Sequence, residues 1–239
     1  KKEIREFVKS CRYLDEVVMV NKELKDFYEK EFKKNKISCK VRYIPNYIDS
    51  LSKTKSSLES NNLISVGRLE AVKGFNDLIR VMQLVDLNYQ GVHLTLVGDG
   101  KEKDNIFKEV VKDNLTSKVK MTGYLFQEDI DKLYDEASIY VMTSHSESFG
   151  LVMLEAMAHG LPVVAFSSAE GARELIKDGY NGYLIDNRNE YEMAEKIVSL
   201  LKNRKTLKEM GKNALKVASL YTKDEVIKKW VELFNEETK

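Results

Sequence analysis

The chain has 239 residues, 43% of them hydrophobic and 32% charged, which suits a globular protein of one main domain with an appendage. Its 39 Lys and Arg against 38 Asp and Glu leave a formal charge of +1, so no overall field draws it to a nucleic-acid backbone. Apolar runs such as residues 17–20 and 94–97 fall far below the ~20 residues needed to cross a bilayer, and no membrane helix is expected.

Residues 1–49 read as a helix, a strand at 17–20, a highly charged helix at 22–34 and a strand at 41–44 that runs into Pro45. One strand–helix–strand unit cannot build a core by itself. Thirteen Lys and Arg oppose eight Asp and Glu in residues 1–42. A solvated surface is the expected reason, with peripheral contact to an anionic membrane as the alternative. The first residue is Lys, with no apolar signal region after it, so the expectation is a chain cut from something longer. Cys11 and Cys39 have no metal-type spacing and read as inert thiols in a reducing cytoplasm.

The polar stretch 50–61 has the composition of a linker. From residue 62, short runs rich in Val, Ile and Leu alternate with amphipathic stretches, the pattern of an α/β domain with a parallel, Rossmann-like sheet and helices on both faces. Predicted strands are 63–66, 94–97, 119–122, 139–142, 163–166 and 183–185. Predicted helices are 75–88, 102–114, 127–137, 150–159, 171–178 and 190–202. Two further helices follow at 204–219 and 223–236, with Trp230 and Phe234 expected in the core. The predicted division is therefore 1–49, a linker at 50–61, a main domain at 62–222 and a last helix at 223–239.

Residues 144–155 leave a predicted strand, turn through polar residues and open a helix, with Glu147 before it and Glu155 about two turns inside. The two carboxylates reach different places along one ligand. Between them the amides of Phe149, Gly150 and Leu151 fall in the first helical turn, where free N–H groups and the dipole favour an anion. The plainer alternative is a capping Glu147 and an ordinary ion pair at Glu155. A second constellation, Gly67, Arg68, Lys73 and Gly74, follows the first strand of the main domain, and its two cations suit phosphate oxygens at the mouth of the same sheet.

Together with Val97, Gly98, Asp99, Gly100, Gly123, Tyr124, Ser144, Ser148, Ala156, the run 160–164 and the run 179–182, these residues resemble the C-terminal, donor-binding half of a family 4 retaining glycosyltransferase of GT-B fold. The resemblance implies that residues 62–222 bind a nucleotide-diphosphate sugar and that 1–49 are the last unit of an N-terminal acceptor domain, most of it missing. By it, Arg68 and Lys73 contact the diphosphate, Glu147 the transferred sugar and Glu155 the ribose. The amides of Phe149, Gly150 and Leu151 complete the seat behind Gly67, and Tyr124 lies near the nucleobase.

The expected donor is a UDP-sugar, and no cofactor or metal is expected, since no Asp/His cluster suits a hard cation. The acceptor, whether glycan, lipid-linked or protein, stays open. Other readings are a noncatalytic sugar-nucleotide module or a different GT-B enzyme such as an epimerase. Such families often carry two glycines where this chain has Glu170 and Gly171. Glu170 either meets a sugar hydroxyl or faces solvent, and solvent is expected. His145 is expected to be solvated, and His93 and His159 to be structural.

Overall fold

The structure, a computed structural model, describes residues 2–237. Lys1, counted in the basic excess, and the end of the predicted last helix at 238–239 lie outside the described residues. The chain opens with α1 (Lys2–Ser10), β1 (Glu16–Met19), α2 (Lys22–Lys34) and β2 (Lys40–Tyr43). β1 and β2 pair in parallel as a two-stranded sheet. Asn21 starts α2 by accepting the Leu24 amide at 2.7 Å, as an N-cap should. Val8, Cys11, Met19, Phe32, Cys39 and Val41 form a small apolar cluster of their own. Burial raises both thiols above their ordinary range, consistent with unreactive side chains.

The main body alternates β3 (Asn62–Val66), α3 (Phe75–Asn88), β4 (His93–Val97), α4 (Lys103–Lys112), β5 (Val119–Gly123), α5 (Gln127–Glu136), β6 (Ile139–Met142), α6 (Leu151–Ala158), β7 (Val163–Phe166), α7 (Glu170–Leu175), β8 (Gly182–Ile185) and α8 (Glu190–Lys202). Its six strands are all parallel, in the order β5-β4-β3-β6-β7-β8. Every residue of β6 and β7 is buried, because helices cover both faces and leave no side for polar alternation. The predicted strands and helices agree with these elements, except that α7 ends at Leu175, three residues early.

Residues 50–61 are irregular in backbone but fastened along the body. The Ser52 and Ser56 amides donate to Ala158 and His159 carbonyls at 3.3 and 3.0 Å, and Leu58 is buried. After α9 (Arg204–Ser219), α10 (Lys223–Glu237) returns to the two-stranded sheet. There Val226 and Leu233 bury against Ile44, with Val18 and Trp230 alongside, and Arg42 bridges Glu16 and Glu236. Phe234 corrects the sequence expectation. It stacks on Trp230 with ring centroids 6.1 Å apart but is 62% exposed, since its helical position lies past the edge of that cluster.

Ile44, 3% exposed, is the peg that seats α10. Ile44→Ala is expected to cost about 2–4 kcal/mol, read as a lowered urea midpoint, with faster amide exchange in α10 than in β6.

Candidate functional site

β3 and β6 lie side by side at the centre of the sheet, with β4–β5 running one way from them and β7–β8 the other. In an open parallel sheet this reversal opens a crevice beyond the carboxyl ends of the strands. The turn after β3 is tied to the turn after β4. The Gly67 amide donates to the Val97 carbonyl at 3.0 Å, and Leu69 to Asp99 at 2.9 Å. A Cβ on Gly98 would sit 1.9 Å from the Gly67 carbonyl, so the close approach requires a glycine. Arg68 therefore stands on a fixed backbone while its side chain, 78% exposed, lies 3.5 Å from Glu70.

Lys73 turns inward. Its ammonium pairs with the Glu147 carboxylate, both side chains about one-fifth exposed. The backbones of the two loops meet as well. The His145 amide donates to the Val72 carbonyl at 2.8 Å, and Thr143 Oγ1 to the Lys73 carbonyl at 3.3 Å. The structure thus brings Lys73 and Glu147 together at the strand reversal and leaves Arg68 at the rim.

Gly150 takes a left-handed φ of 84° just before α6, and no side chain caps that helix. Glu147 is thus no helix cap, and among the described residues no acceptor takes the amides of Phe149, Gly150 or Leu151. They present the positive end of the helix dipole at the crevice. The Phe149 ring is buried against Tyr221, centroids 5.7 Å apart, while Leu151 is 40% exposed. The first turn of α7 supports this loop from behind. Gly171 donates its amide to the Glu147 carbonyl at 2.6 Å, and a Cβ there would come within 2.3 Å of the Phe149 carbonyl. Glu170 stays partly exposed, and its carboxylate accepts the Ser146 hydroxyl at 3.3 Å and the Glu147 amide at 3.4 Å.

Glu155 lies about one turn into α6, in a cavity of about 560 Å³ walled by the 47–54 segment, Gln127, Asp131, Leu151 and His159. The Tyr134 hydroxyl is 3.5 Å away. Burial, and then the negative charge of Asp131, raise the Glu155 carboxyl above its ordinary range. His159 is structural, its ring nitrogens 2.8 Å from Asp135 and 3.4 Å from Asp131. His145 is half exposed, its ring nitrogen 3.9 Å from Asp77. Tyr124 is 71% exposed and meets Phe126 edge to face, 5.5 Å between centroids. It stands at the end of edge strand β5, outside the Lys73–Glu147 contact, but three residues from Gln127 in the cavity wall.

Two supports, Asn21 and Arg188, carried no motif, and a third, Glu174, belongs to the loop pattern that holds Glu170 and Gly171. Asn21, fully buried, donates its amide to the Ser148 carbonyl at 2.6 Å; in the sequence it is only a polar residue before a charged helix. Glu174 accepts the Lys22 amide at 3.0 Å and the Tyr43 hydroxyl at 2.8 Å. Arg188 reaches Thr143 and Ser144 from beyond β8, across 44 residues that no local pattern connects.

This geometry agrees with the similarity to known proteins. Residues 48–217 match the family of glycosyl transferases, group 1, and the chain belongs to that family. It is 30% identical over 221 residues to a glycosyltransferase of Haemophilus influenzae, covering 90% of this chain and 60% of that one. It is 35% identical over 171 residues to the poly(ribitol-phosphate) alpha-N-acetylglucosaminyltransferase of Staphylococcus aureus, covering 71% and 34%. The solved structure of S. aureus TarM in complex with fondaparinux, alpha-GlcNAc-glycerol and UDP superposes with a TM-score of 0.86 at 28% identity, over 98% of this chain and 47% of that chain. The chain thus spans less than two thirds of each. The fold is that of the GT-B glycosyltransferases.

A raised carboxyl pKa means that the folded state holds a proton that the unfolded state gives up, so stability falls as pH rises from the ordinary carboxylate range through the raised folded value. Glu155→Gln is therefore expected to raise Tm at pH 7.5 and to leave it unchanged near pH 3.5, where both states are protonated. A Tm gain equal at both pH values contradicts the burial of the charge.

Proposed function

We propose that this chain is the donor half of a family 4 retaining glycosyltransferase, with residues 62–222 binding a nucleotide-diphosphate sugar, most simply a UDP-hexose. In this division residues 1–49 and the last helix belong with the acceptor side. The observation that carries the proposal is the Lys73–Glu147 pair beside the open amides of α6, at the strand reversal. The UDP bound in the TarM structure supports the choice of nucleotide.

Before a donor arrives, Lys73 and Glu147 neutralise each other. A diphosphate seated on the Phe149, Gly150 and Leu151 amides offers Lys73 a stronger anion, and Glu147 is then free to accept sugar hydroxyls. Arg68, exposed at the rim, closes on the outer phosphate, and Gly67 lets the backbone approach. Glu155, about one turn along the same helix, accepts the ribose hydroxyls inside its cavity, and Tyr124 borders the nucleobase. As the bond from the anomeric carbon to the phosphate oxygen breaks, its electron pair leaves on the diphosphate. Lys73, Arg68 and the helix amides face that growing charge, and they stabilise the transition state more than the bound donor. The acceptor hydroxyl oxygen then bonds the anomeric carbon, and its proton passes to the departing diphosphate oxygen. The polymer named for the S. aureus relative makes a polyol-phosphate chain the first acceptor to try.

Calorimetry of the chain against UDP-, GDP- and ADP-sugars tests the donor. A UDP-sugar is expected to bind best, with affinity lost in Glu155→Ala; equal binding by parent and variant contradicts the ribose assignment. In the full-length protein, Lys73→Ala is expected to lower transfer about 10²–10³-fold, the effect of removing one transition-state donor. Undiminished turnover removes Lys73 from the mechanism.

A further inference from the structure

Arg188 follows β8 in a short turn whose backbone is left-handed at two successive residues, Asn187 at φ 52° and Arg188 at φ 50°. Asparagine tolerates that conformation, but arginine adopts it only when something holds it there. Here the guanidinium is held on every side. One nitrogen donates to the Ser144 carbonyl at 3.1 Å and to Ser168 Oγ at 3.0 Å. The other donates to the Thr143 carbonyl at 2.8 Å and to the Asp77 carboxylate. Its plane covers the Phe166 ring, 4.4 Å from the centroid. Ser168 in turn donates to the Ser144 carbonyl at 3.2 Å, and Arg80 holds Asp77 from the opposite side.

These partners come from different strand ends. Thr143 and Ser144 begin the loop that carries Glu147; Asp77 lies in the first turn of α3, four residues after Lys73; Ser168 lies two residues before Glu170. We propose that Arg188 is the positioning residue of the donor site, setting the spacing between the Lys73 turn and the Glu147 loop; its link to donor binding rests on the function proposed above. A planar fork is needed because the acceptors lie in several directions, and a lysine offers one charge at one point.

The test compares the parent with Arg188→Met and Arg188→Lys in two measurements: amide exchange without ligand and UDP affinity by calorimetry. Arg188→Met is expected to exchange residues 143–150 at least tenfold faster while β4 and β5 keep the parental rate, and to weaken UDP at least tenfold. Arg188→Lys, which keeps the charge and loses the fork, is expected to move both in the same direction by a smaller factor, and it serves alone if the Met variant does not fold. Parental exchange in 143–150 overturns the positioning role. Faster exchange with parental UDP affinity overturns its bearing on the ligand. Full recovery of both by lysine overturns the need for the fork. A parent that binds no UDP contradicts the nucleotide proposal, and the exchange rates still decide the role of Arg188.

Discussion

The site depends on one contact between opposite charges. Lys73 and Glu147 sit on loops that leave the two central strands, and their side chains meet with about a fifth of each exposed. A pair so placed gives up hydration for an attraction that roughly repays it, so it is weak evidence of added stability. Removing either partner leaves the other charge in a poorly hydrated crevice, which costs far more. A pair with this balance is readily exchanged when a stronger partner for one member arrives, and a diphosphate is such a partner for an ammonium. The contact keeps both groups ordered and close until then.

What permits the contact is backbone, not charge. The turn after β3 lies against the turn after β4 through the Gly67–Val97 and Leu69–Asp99 hydrogen bonds, and against the loop after β6 through the His145–Val72 bond. Each contributes about 1 kcal/mol net, but their geometric effect is larger, since together they remove the freedom of a loop that would otherwise need ordering by the ligand. The glycine requirement at Gly98 and the packing of Gly171 on Phe149 follow from the same close approach. Side chains at these two positions would push the loops apart before they altered any charge.

The positions of the strands were legible in the sequence, and their order in the sheet was not. Alternating apolar runs and amphipathic stretches located β3 to β8 and their helices, since strands buried on both faces carry few polar residues. Lys73 and Glu147 were legible because each sits in a dense local pattern of glycine and charge. Arg68 was assigned with Lys73, yet their side chains diverge, because spacing along a turn does not give side-chain direction. Glu170 keeps the partial exposure of a loop carboxylate, but its hydrogen bonds to Ser146 and Glu147, 24 and 23 residues earlier, had no local signal. Asn21, Glu174 and Arg188 act through partners 44 to 152 residues away, and no periodicity reports such pairs. Phe234 shows the converse error, an apolar residue that helical spacing points inward but that the edge of a three-residue cluster leaves uncovered.

The N-terminal unit is joined to the loop that opens α6, and not only to the outer surface of the main body. Asn21 spends one end of its amide on capping α2 and the other on the Ser148 carbonyl, one residue past Glu147. Beside it, the Glu174 carboxylate, 5% exposed in side chain, accepts from Lys22, Tyr43 and Tyr221. Burial raises the Tyr43 hydroxyl far above its ordinary range, so it stays a donor to that carboxylate at any physiological pH. Leaving a buried carboxylate or amide unpaired is costly. A shift of β1, α2 and β2 by more than the tolerance of these bonds must therefore break several together or carry the 147–150 loop with it. Seating of the N-terminal unit and ordering of the loop that opens α6 are consequently a single cooperative event, because they share the same hydrogen bonds.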